Sequence, residues 1–594
     1  MKEIKDIMGL KKSYKYAMPR FIAGSMPEYM IKFDEKDEGV LVENFTEPEA
    51  EELGNYVTNT DSNVFVIKTN SLTQEQSGAL LSRYSRTALN GRRLLLKEFI
   101  PNKDRGREFF ESWLVDYGDD SIQEMAGGIP LSCEFVSNVA AKEIEDSRFG
   151  SYIEKSSRYV SFDKKLPNGE YMFYKDPDIM QSRHNDEYLS LMRGLFDSYT
   201  KYIEPMVKEI KEANPFESQT FRVGEVTITP TALTKNIEEE QNITEQDLKK
   251  SYGNAIKANA LDFMRDYLPM ATLTHVGISC NARSYENIIL KLGASPLSEC
   301  TWTGKRMHEE LSKIVPSLLK RIPEKHGKSQ LSFLKDKNLK SIEEVKAILS
   351  ERKGGIDKNN VLLTDYTGIN SKDPDAQAQT LLSAAIIYKY GEGNSFSQSL
   401  EISGAMDQSA RSKLISNYSG KRENRRQRLG RAFENIDYLF DFCGRVGIYR
   451  DLQRHRIGTQ ERQRFSVKLG YNTRDEYARI GIKDDYEGKM AEVESLFNKL
   501  SERMPFQAQY VVTYGFNARW YYRMNARQFA HMVELRTTPA GHPDYRQLMQ
   551  QAYYKINEVH PSIAKHFDFV DLSESKLGRL NSEIRIAIKK KAFK

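Results

Sequence analysis

Cysteine is scarce: Cys133, Cys280, Cys300 and Cys443 are the four in a chain of 594 residues. They stand far apart with no CxxC pair, which argues against a disulfide framework or a cysteine zinc site and suits a reducing compartment. The nine histidines form no HxH or HExxH, so no metal centre is expected. No GxGxxG follows a strand-like run, so a Rossmann cofactor domain is not indicated. Apolar runs stay short of the ~20 residues of a membrane span, and the opening MKEIKDIMGLKKSYKYAM lacks the apolar centre of a signal peptide. The expectation is a cytoplasmic protein with no membrane partner. A strong charge of one sign is missing too. The net charge of +5 is a mild bias, and without a basic stripe or recognisable module nucleic acid is not the expected partner. The terminal KKKAFK reads as a solvated tail.

What is present describes a soluble globular chain: 39% hydrophobic and 29% charged residues, long enough for about two to four domains. It also repeats itself. NVFVIKTNSLTQEQSGALLSRYSRT, a β-rich run followed by a helical segment, is matched by NNVLLTDYTGINSKDPDAQAQTLLSAAIIYKYG. DYGDDSIQEMAGG, around Glu124, parallels RLGRAFENIDYLFDF, around Glu434. The extended runs LDFMRDYLPMATLTHVGISC and PFQAQYVVTYGFNARWYYRM each lead into an Asn-Ala-Arg tripeptide that opens a helical pattern, at Asn281-Ala282-Arg283 and Asn525-Ala526-Arg527. The order of these pairs is the same in both halves. The expected organisation is an N-terminal extension over 1–60, a first domain over 61–325 with an insertion near 164–250, a linker over 326–358 holding a short helix, SIEEVKAILSER, and a second domain over 359–594. Ile436, Tyr438, Phe440 and Phe442 alternate with Asp437, Leu439 and Asp441, the period of a largely half-buried strand. Long helical patterns lie elsewhere, for example DEYLSLMRGLFDSYTKYIEPMVKEIKEA. The fold class read from this is α+β, one domain with a mixed sheet and long helices used twice to form a pseudo-dimer.

The densest chemistry lies in RDLQRHRIGTQERQRFS, residues 450–466, where Arg454, His455 and Arg456 are consecutive. Guanidinium groups this close repel one another if buried, unless an anion sits among them. A solvated helix end is the bland alternative, since cations suit a helix C-terminus.

With these pieces assembled, the chain resembles the flavin-dependent thymidylate synthases, whose mark is an Arg-His-Arg motif followed by a loop containing serine and arginine. The resemblance implies methylation of dUMP to dTMP with FAD as cofactor, methylenetetrahydrofolate as carbon donor and NADPH as electron source. It also implies a homo-oligomer, here a dimer of tandem chains in place of a tetramer. By that resemblance Arg454, His455, Arg456, Glu461, Asn525, Arg527, His531 and Glu434 in the second half would hold flavin, together with Ser121, Glu124, Asn281, Arg283 and Asn287 in the first. Glu154, Ser156, Arg158 and Arg265 would bind the nucleotide, with Arg454, Arg464 and Arg536 from the second half. Arg536 would be the catalytic group on the uracil ring.

Neither half holds the full pattern. The first reads Asp146-Ser147-Arg148 where the triplet should stand and Leu292 where the activating arginine should. In the second half Gln509 replaces the arginine that Arg265 represents, and the loop after Arg456 is about two residues short. A shared site is therefore expected, in which loop residues of the first half meet the Arg536 helix of the second. Without a cysteine adding to carbon 6, a fixed arginine can polarise uracil by stabilising its ionised imide. A related carbon-5 modification such as hydroxymethylation, and a non-catalytic nucleotide- or RNA-binding scaffold, stay open as alternatives.

Overall fold

A computed structural model describes residues 30–33, 41–102, 119–166, 169–223, 226–351, 355, 357 and 359–592. Much of the expected N-terminal extension lies outside these residues, as do the side chains of the basic tail from Lys589 onward.

Each half builds a four-stranded antiparallel sheet with the same strand order. In the first half β1 (Val64–Val66), β2 (Ile129–Ser137), β3 (Ser151–Glu154) and β4 (Leu273–Cys280) are arranged β1-β2-β4-β3. In the second, β5 (Val361–Tyr366), β6 (Asp437–Arg445), β7 (Thr459–Arg462) and β8 (Asn517–Asn525) are arranged β5-β6-β8-β7. The chain is thus an α+β fold used twice. First-half helices needed below are α1 (Gln74–Tyr84), α2 (Asn138–Ile144), α3 (Asn185–Ala213), α4 (Glu245–Met264), α5 (Ala282–Gly293) and α6 (Lys325–Ser350). Those of the second half are α7 (Pro374–Tyr390), α8 (Val446–Leu452), α9 (Lys483–Ser501), α10 (Ala526–Arg536), α11 (Pro543–Val559) and α12 (Leu580–Ala592).

Alternation along β6 works as the sequence suggests. Tyr438, Phe440 and Phe442 are buried, and Phe440 stacks on Phe442 and on Phe529 of α10 with ring centres 5.2 and 5.5 Å apart. Along β8, Ala518, Trp520, Tyr522 and Met524 point inward. Arg519 and Arg523 point outward and pair across the sheet with Asp441 at 3.0 Å and Asp365 at 2.6 Å. The first half differs, because β4 is buried at every position. A second core that includes Phe65, Leu81, Met125 and Ile153 covers its other face. At Gly277 a Cβ would stand 2.9 Å from Ile153 and 3.0 Å from Leu81, so the close approach requires glycine.

One expectation is corrected in the connection between halves. The short helix foreseen within a linker is a helix of 26 residues, α6, running from Lys325 to Ser350 with Leu331 buried at its start. No proline interrupts KHGKSQLSFLKDKNLKSIEEVKAILS, and Lys, Leu, Glu and Ala favour helix throughout, so the polar composition that reads as linker is that of an exposed helix.

The halves meet about a local two-fold axis. Pro269 and Thr513 each stand twelve positions before the tripeptide asparagine of their own half, and these two equivalent residues pair with each other in an antiparallel bridge. The flanking hydrogen bonds come in matched pairs. Met270 N donates to Val512 O at 2.8 Å as Tyr514 N donates to Leu268 O at 2.9 Å, and Ala271 N donates to Tyr510 O as Gly515 N donates to Asp266 O. Residue facing its own counterpart is the signature of an isologous interface, here between two parts of one chain. α9 packs on α3, and α12 returns from the second half to pack on α4, so the halves share one continuous hydrophobic core.

Candidate active site

The cleft between the halves forms where α8 of the second points at the loop after β3 of the first. α8 is a short helix held in place by the buried side chains of Val446, Ile448, Tyr449 and Leu452. Arg450 and Arg454, four apart, fall on one face of it and its continuation. A cavity of about 270 Å³ lies there, lined by Ser85 and Arg86 beyond α1, by Glu154–Tyr159, by Arg265, and by Arg450, Asp451 and Arg454.

The charges are interleaved across the interface. Arg450 is buried, its Cζ 5.0 Å from the centre of the Tyr514 ring, and it donates to both oxygens of Glu154 from the other half. Lys142 Nζ stands 3.0 Å from the same carboxylate. Burial raises the Glu154 pKa, but Arg450, then Lys142 and Arg454, outweigh it and hold Glu154 down at about 2. Arg158 Nε lies 2.9 Å from Asp262 Oδ1 and its Nη2 donates to Asp451 Oδ2 at 3.4 Å. Asp262, which also faces Arg579 Nη2 at 3.3 Å, is held at about 2, its burial more than offset by Arg158 and Arg579. Arg265 is buried and donates from Nη2 to Gly447 O at 3.0 Å. Lys155 donates to the carbonyls of Ala88 and Leu89, and burial lowers its pKa to about 8. Partly neutralised guanidinium groups with serine hydroxyls among them form a donor set suited to a phosphate.

Arg536, at the last turn of α10, joins this cluster from behind. Its Nε donates to His455 Nε2 at 2.8 Å, and its Nη1 stands 3.9 Å from Asp451 Oδ1. Burial and then the Arg536 charge hold the His455 pKa well below its ordinary value, so the ring is neutral and accepts at Nε2 while Nδ1 carries the proton. Tyr522 fixes the histidine's backbone by donating its hydroxyl to His455 O. The Tyr545 ring, from α11, lies between Arg158 and Arg536, whose Cζ atoms are 5.3 and 5.6 Å from its centre.

The other sequence-selected residues fall into three groups. Beside the cluster, the His531 ring centre is 5.8 Å from that of His455 in an edge-on contact, Arg454 lines the cavity, and Arg456 lies 5.2 Å from the Tyr152 ring. On the opposite side of α10, Arg527 pairs with Glu434 at 2.8 Å and donates to Leu429 O, as its angular separation from Arg536 requires. Asn525 and Asn281 are the N-caps of α10 and α5, accepting from Gln528 N and Ser284 N. Outside the cleft, Arg283, Asn287 and Glu124 are exposed, with Arg283 bonded to Glu286. Glu461 and Arg464 are exposed as well, and Arg464 lies over the Phe506 ring. Register explains Glu461: opposite Trp520 and Val276, each five positions before its tripeptide asparagine, stand Arg462 and Glu154, so Arg462 is the counterpart of Glu154. Ser121 starts within a helical turn, Asp119–Met125, but its side chain lies outside those described.

Several cluster residues belong to none of the repeated segments. Arg450 and Asp451 belong to the basic stretch but precede the triplet. Their i, i+4 spacing from Arg454 and His455 was the available clue. Asp262 and Arg86 are distant in sequence and are brought in by the fold of the first half, and Tyr545 is brought in across the interface. All four cysteines are free and buried, and Cys280 is pushed up to about 12 by burial. Among the described residues no group of three His, Cys, Asp or Glu could hold a metal ion, and no helix is long and apolar enough to cross a membrane.

Comparison with known proteins agrees with this duplicated arrangement. A UPF0159 protein of Chlamydia muridarum is 33% identical over 563 residues, covering 91% of this chain and 98% of that protein. A UPF0159 protein of Thermoplasma acidophilum is 31% identical, covering 86% of this chain and 98% of its own length. Among solved structures, a UMP/dUMP methylase, PolB, from Streptomyces cacaoi, bound with 5-Br dUMP, aligns with 35% of this chain and 94% of its own at 16% identity. Its TM-score is 0.26, at which the likeness bears no weight. The family described as thymidylate synthase complementing protein matches residues 73–317 and again 365–562, one segment in each half, so the chain belongs to that family as a tandem member.

Proposed function

We propose that the chain is a flavin-dependent enzyme that methylates carbon 5 of dUMP, with one active site built by both halves. The observation that supports this most directly is the contact of Arg536 with His455 of the Arg-His-Arg triplet, beside a cationic cleft to which the first half adds Arg86, Arg158 and Arg265. Arg158, Ser156 and Arg265 would receive the nucleotide phosphate, with Glu154 and Arg454 about the sugar and base. Arg536 would stabilise the ionised uracil imide, raising electron density at carbon 5. Its charge persists at any working pH, and the neutral His455 fixes its planar fork without competing for that charge.

The residues near the cleft fit a flavin. Arg454 and Arg456 provide cations for a pyrophosphate. His455 and His531 set two imidazoles edge to face beside the arginine fork, suited to a heteroaromatic ring. FAD, when bound, supplies the hydride, and methylenetetrahydrofolate and NADPH are the proposed co-substrates. Arg527 with Glu434, and the exposed Arg283 and Asn287, would reach flavin only at a contact with another chain, in keeping with a dimer of tandem chains.

Absorbance of the purified protein in the oxidised-flavin region, with FAD titrated into the apoprotein, tests cofactor use. Tritium release from carbon-5-labelled dUMP, followed by the product mass, tests the reaction. Methyl is the expected addition, and a hydroxymethyl mass would move the reading to the related modification. A colourless chain that takes up no FAD would overturn the proposal and favour a binding scaffold.

A further inference from the structure

One carboxylate stands among the cleft arginines without a role in the scheme above. Asp451 extends from the last turn of α8, and its two oxygens face different guanidinium groups: Oδ2 accepts from Arg158 Nη2 at 3.4 Å, and Oδ1 lies 3.9 Å from Arg536 Nη1. Arg265 and Arg454 add their charges from further away. Arg158 has a second partner in Asp262, whereas the other polar contact of the Arg536 fork is the uncharged His455. The two arginines bridged by Asp451 are those expected to meet opposite ends of the substrate, Arg158 the phosphate and Arg536 the pyrimidine. A cluster this cationic, half shielded from water, is costly without a counter-ion, and Asp451 is placed to supply one.

We propose that Asp451 is an internal counter-ion of the nucleotide site, a specificity-determining residue whose place beside Arg158 and Arg536 is taken over by the substrate's own anionic groups. This rests on the reading of the cleft as a nucleotide monophosphate site. Its consequence is a threshold for anions, one that a small inorganic ion does not clear and that a nucleotide, with sugar and base contacts in addition, does. A neutral nucleoside offers nothing that outcompetes a carboxylate at Arg158, so it leaves the Asp451 contacts intact and binds weakly. A monophosphate replaces the carboxylate at Arg158 with a dianion that accepts in two directions. The carboxylate then repels the phosphate it has made room for, so Asp451 sets affinity lower than the arginines alone would allow and keeps stray inorganic anions from occupying the site.

The test uses the full chain and inorganic phosphate as probe, with dUMP in parallel. Asp451→Asn removes the charge and keeps the shape. Phosphate is expected to bind the variant about tenfold more tightly than the wild type at constant ionic strength, the effect of removing one nearby like charge in a partly solvated site. KM for dUMP is expected to fall as well. A residue that only supports the fold would weaken phosphate binding on removal or leave it unchanged, and either result overturns the proposal. If the variant is too unstable for titration, thermal unfolding in increasing phosphate against matched chloride gives the answer. The Tm rise must be larger in D451N than in the wild type, and equal rises overturn the proposal. Tighter phosphate binding in a protein that never binds dUMP would keep the counter-ion role and discard the nucleotide reading. Normal dUMP binding with no gain in D451N would do the reverse.

Discussion

A guanidinium that donates its Nε–H to a neutral imidazole keeps its full charge and loses rotational freedom, which is the state required of a group that must stabilise charge appearing at one place only. Arg536 is held this way by His455. Lysine at 536 would keep the charge and lose both the planar fork and the histidine contact. Arg536→Lys is expected to lower kcat for tritium release by about 10²–10³ with a smaller change in KM, the pattern of an interaction made in the transition state. A change confined to KM would reassign Arg536 to ground-state binding. A second residue-scale prediction concerns Glu299, which lies buried across the interface. Ser137 donates to it from N and Oγ, both at 2.6 Å, and Tyr510 donates from its hydroxyl at 2.9 Å. Burial pushes its carboxyl up to about 7 against those hydrogen bonds. The folded protein therefore keeps a proton that the unfolded chain releases near 4.5. The stability this contributes is full below about 4.5 and is lost as pH rises to about 7. Glu299→Gln imitates the protonated acid, accepting from Ser137 N and donating where the acid would. Urea unfolding between those pH values should show a decline in the wild type that the variant lacks, on the order of 3 kcal/mol across the window. Parallel profiles would show that Glu299 ionises freely.

At the scale of elements, what the sequence made legible was periodic and what it hid was assembled. The buried alternation of β6 is visible because every second residue is a large aromatic, and the helices after each Asn-Ala-Arg are visible because asparagine at an N-cap is a local signal. Exposed α6 was underestimated because few of its residues meet a core, leaving only a weak pattern in a charged background. β7 is a four-residue strand of exposed and half-buried residues, which fix no register by pattern alone; its pairing with β8 sets Arg462 opposite Trp520. The two asparagines also separate capping from cofactor contact. Each accepts from the backbone N–H three residues on at 2.9 Å. Asn281→Ala and Asn525→Ala should each cost about 1 kcal/mol of stability from the lost cap. If Asn525 also reaches flavin, only its variant lowers FAD affinity beyond what the stability change explains, as read by flavin fluorescence titration. Equal FAD affinities in the wild type and both variants would make both residues purely structural.

For the whole molecule, the axis between Pro269 and Thr513 relates the cleft to a second, equivalent region, and the two have diverged. In the first, Arg265, Arg158 and Arg536 converge. In the second, Gln509 replaces Arg265 and is tied up locally, accepting from Phe465 N at 3.1 Å and donating to Phe506 O at 3.0 Å. Leu292, buried, stands where Arg536 should. Glu143, from α2, is the counterpart of Asp451 and pairs directly with Arg462 at 2.6 Å, while Phe465 is buried beside that arginine, whose Cζ is 4.3 Å from its ring. A phosphate there would meet a buried phenylalanine and an arginine already neutralised. Duplication within one chain permits this, since each copy can lose the residues that serve only the cleft no longer used, whereas identical subunits must keep both sets. Titration of the flavin-loaded chain with dUMP is therefore expected to saturate at one nucleotide per chain. Arg158→Ala should abolish that single event, and Arg536→Ala, in the other half, should abolish turnover of the nucleotide bound there. Two nucleotides per chain, or one binding event that survives Arg158→Ala, would mean that the second region also binds nucleotide despite its altered residues.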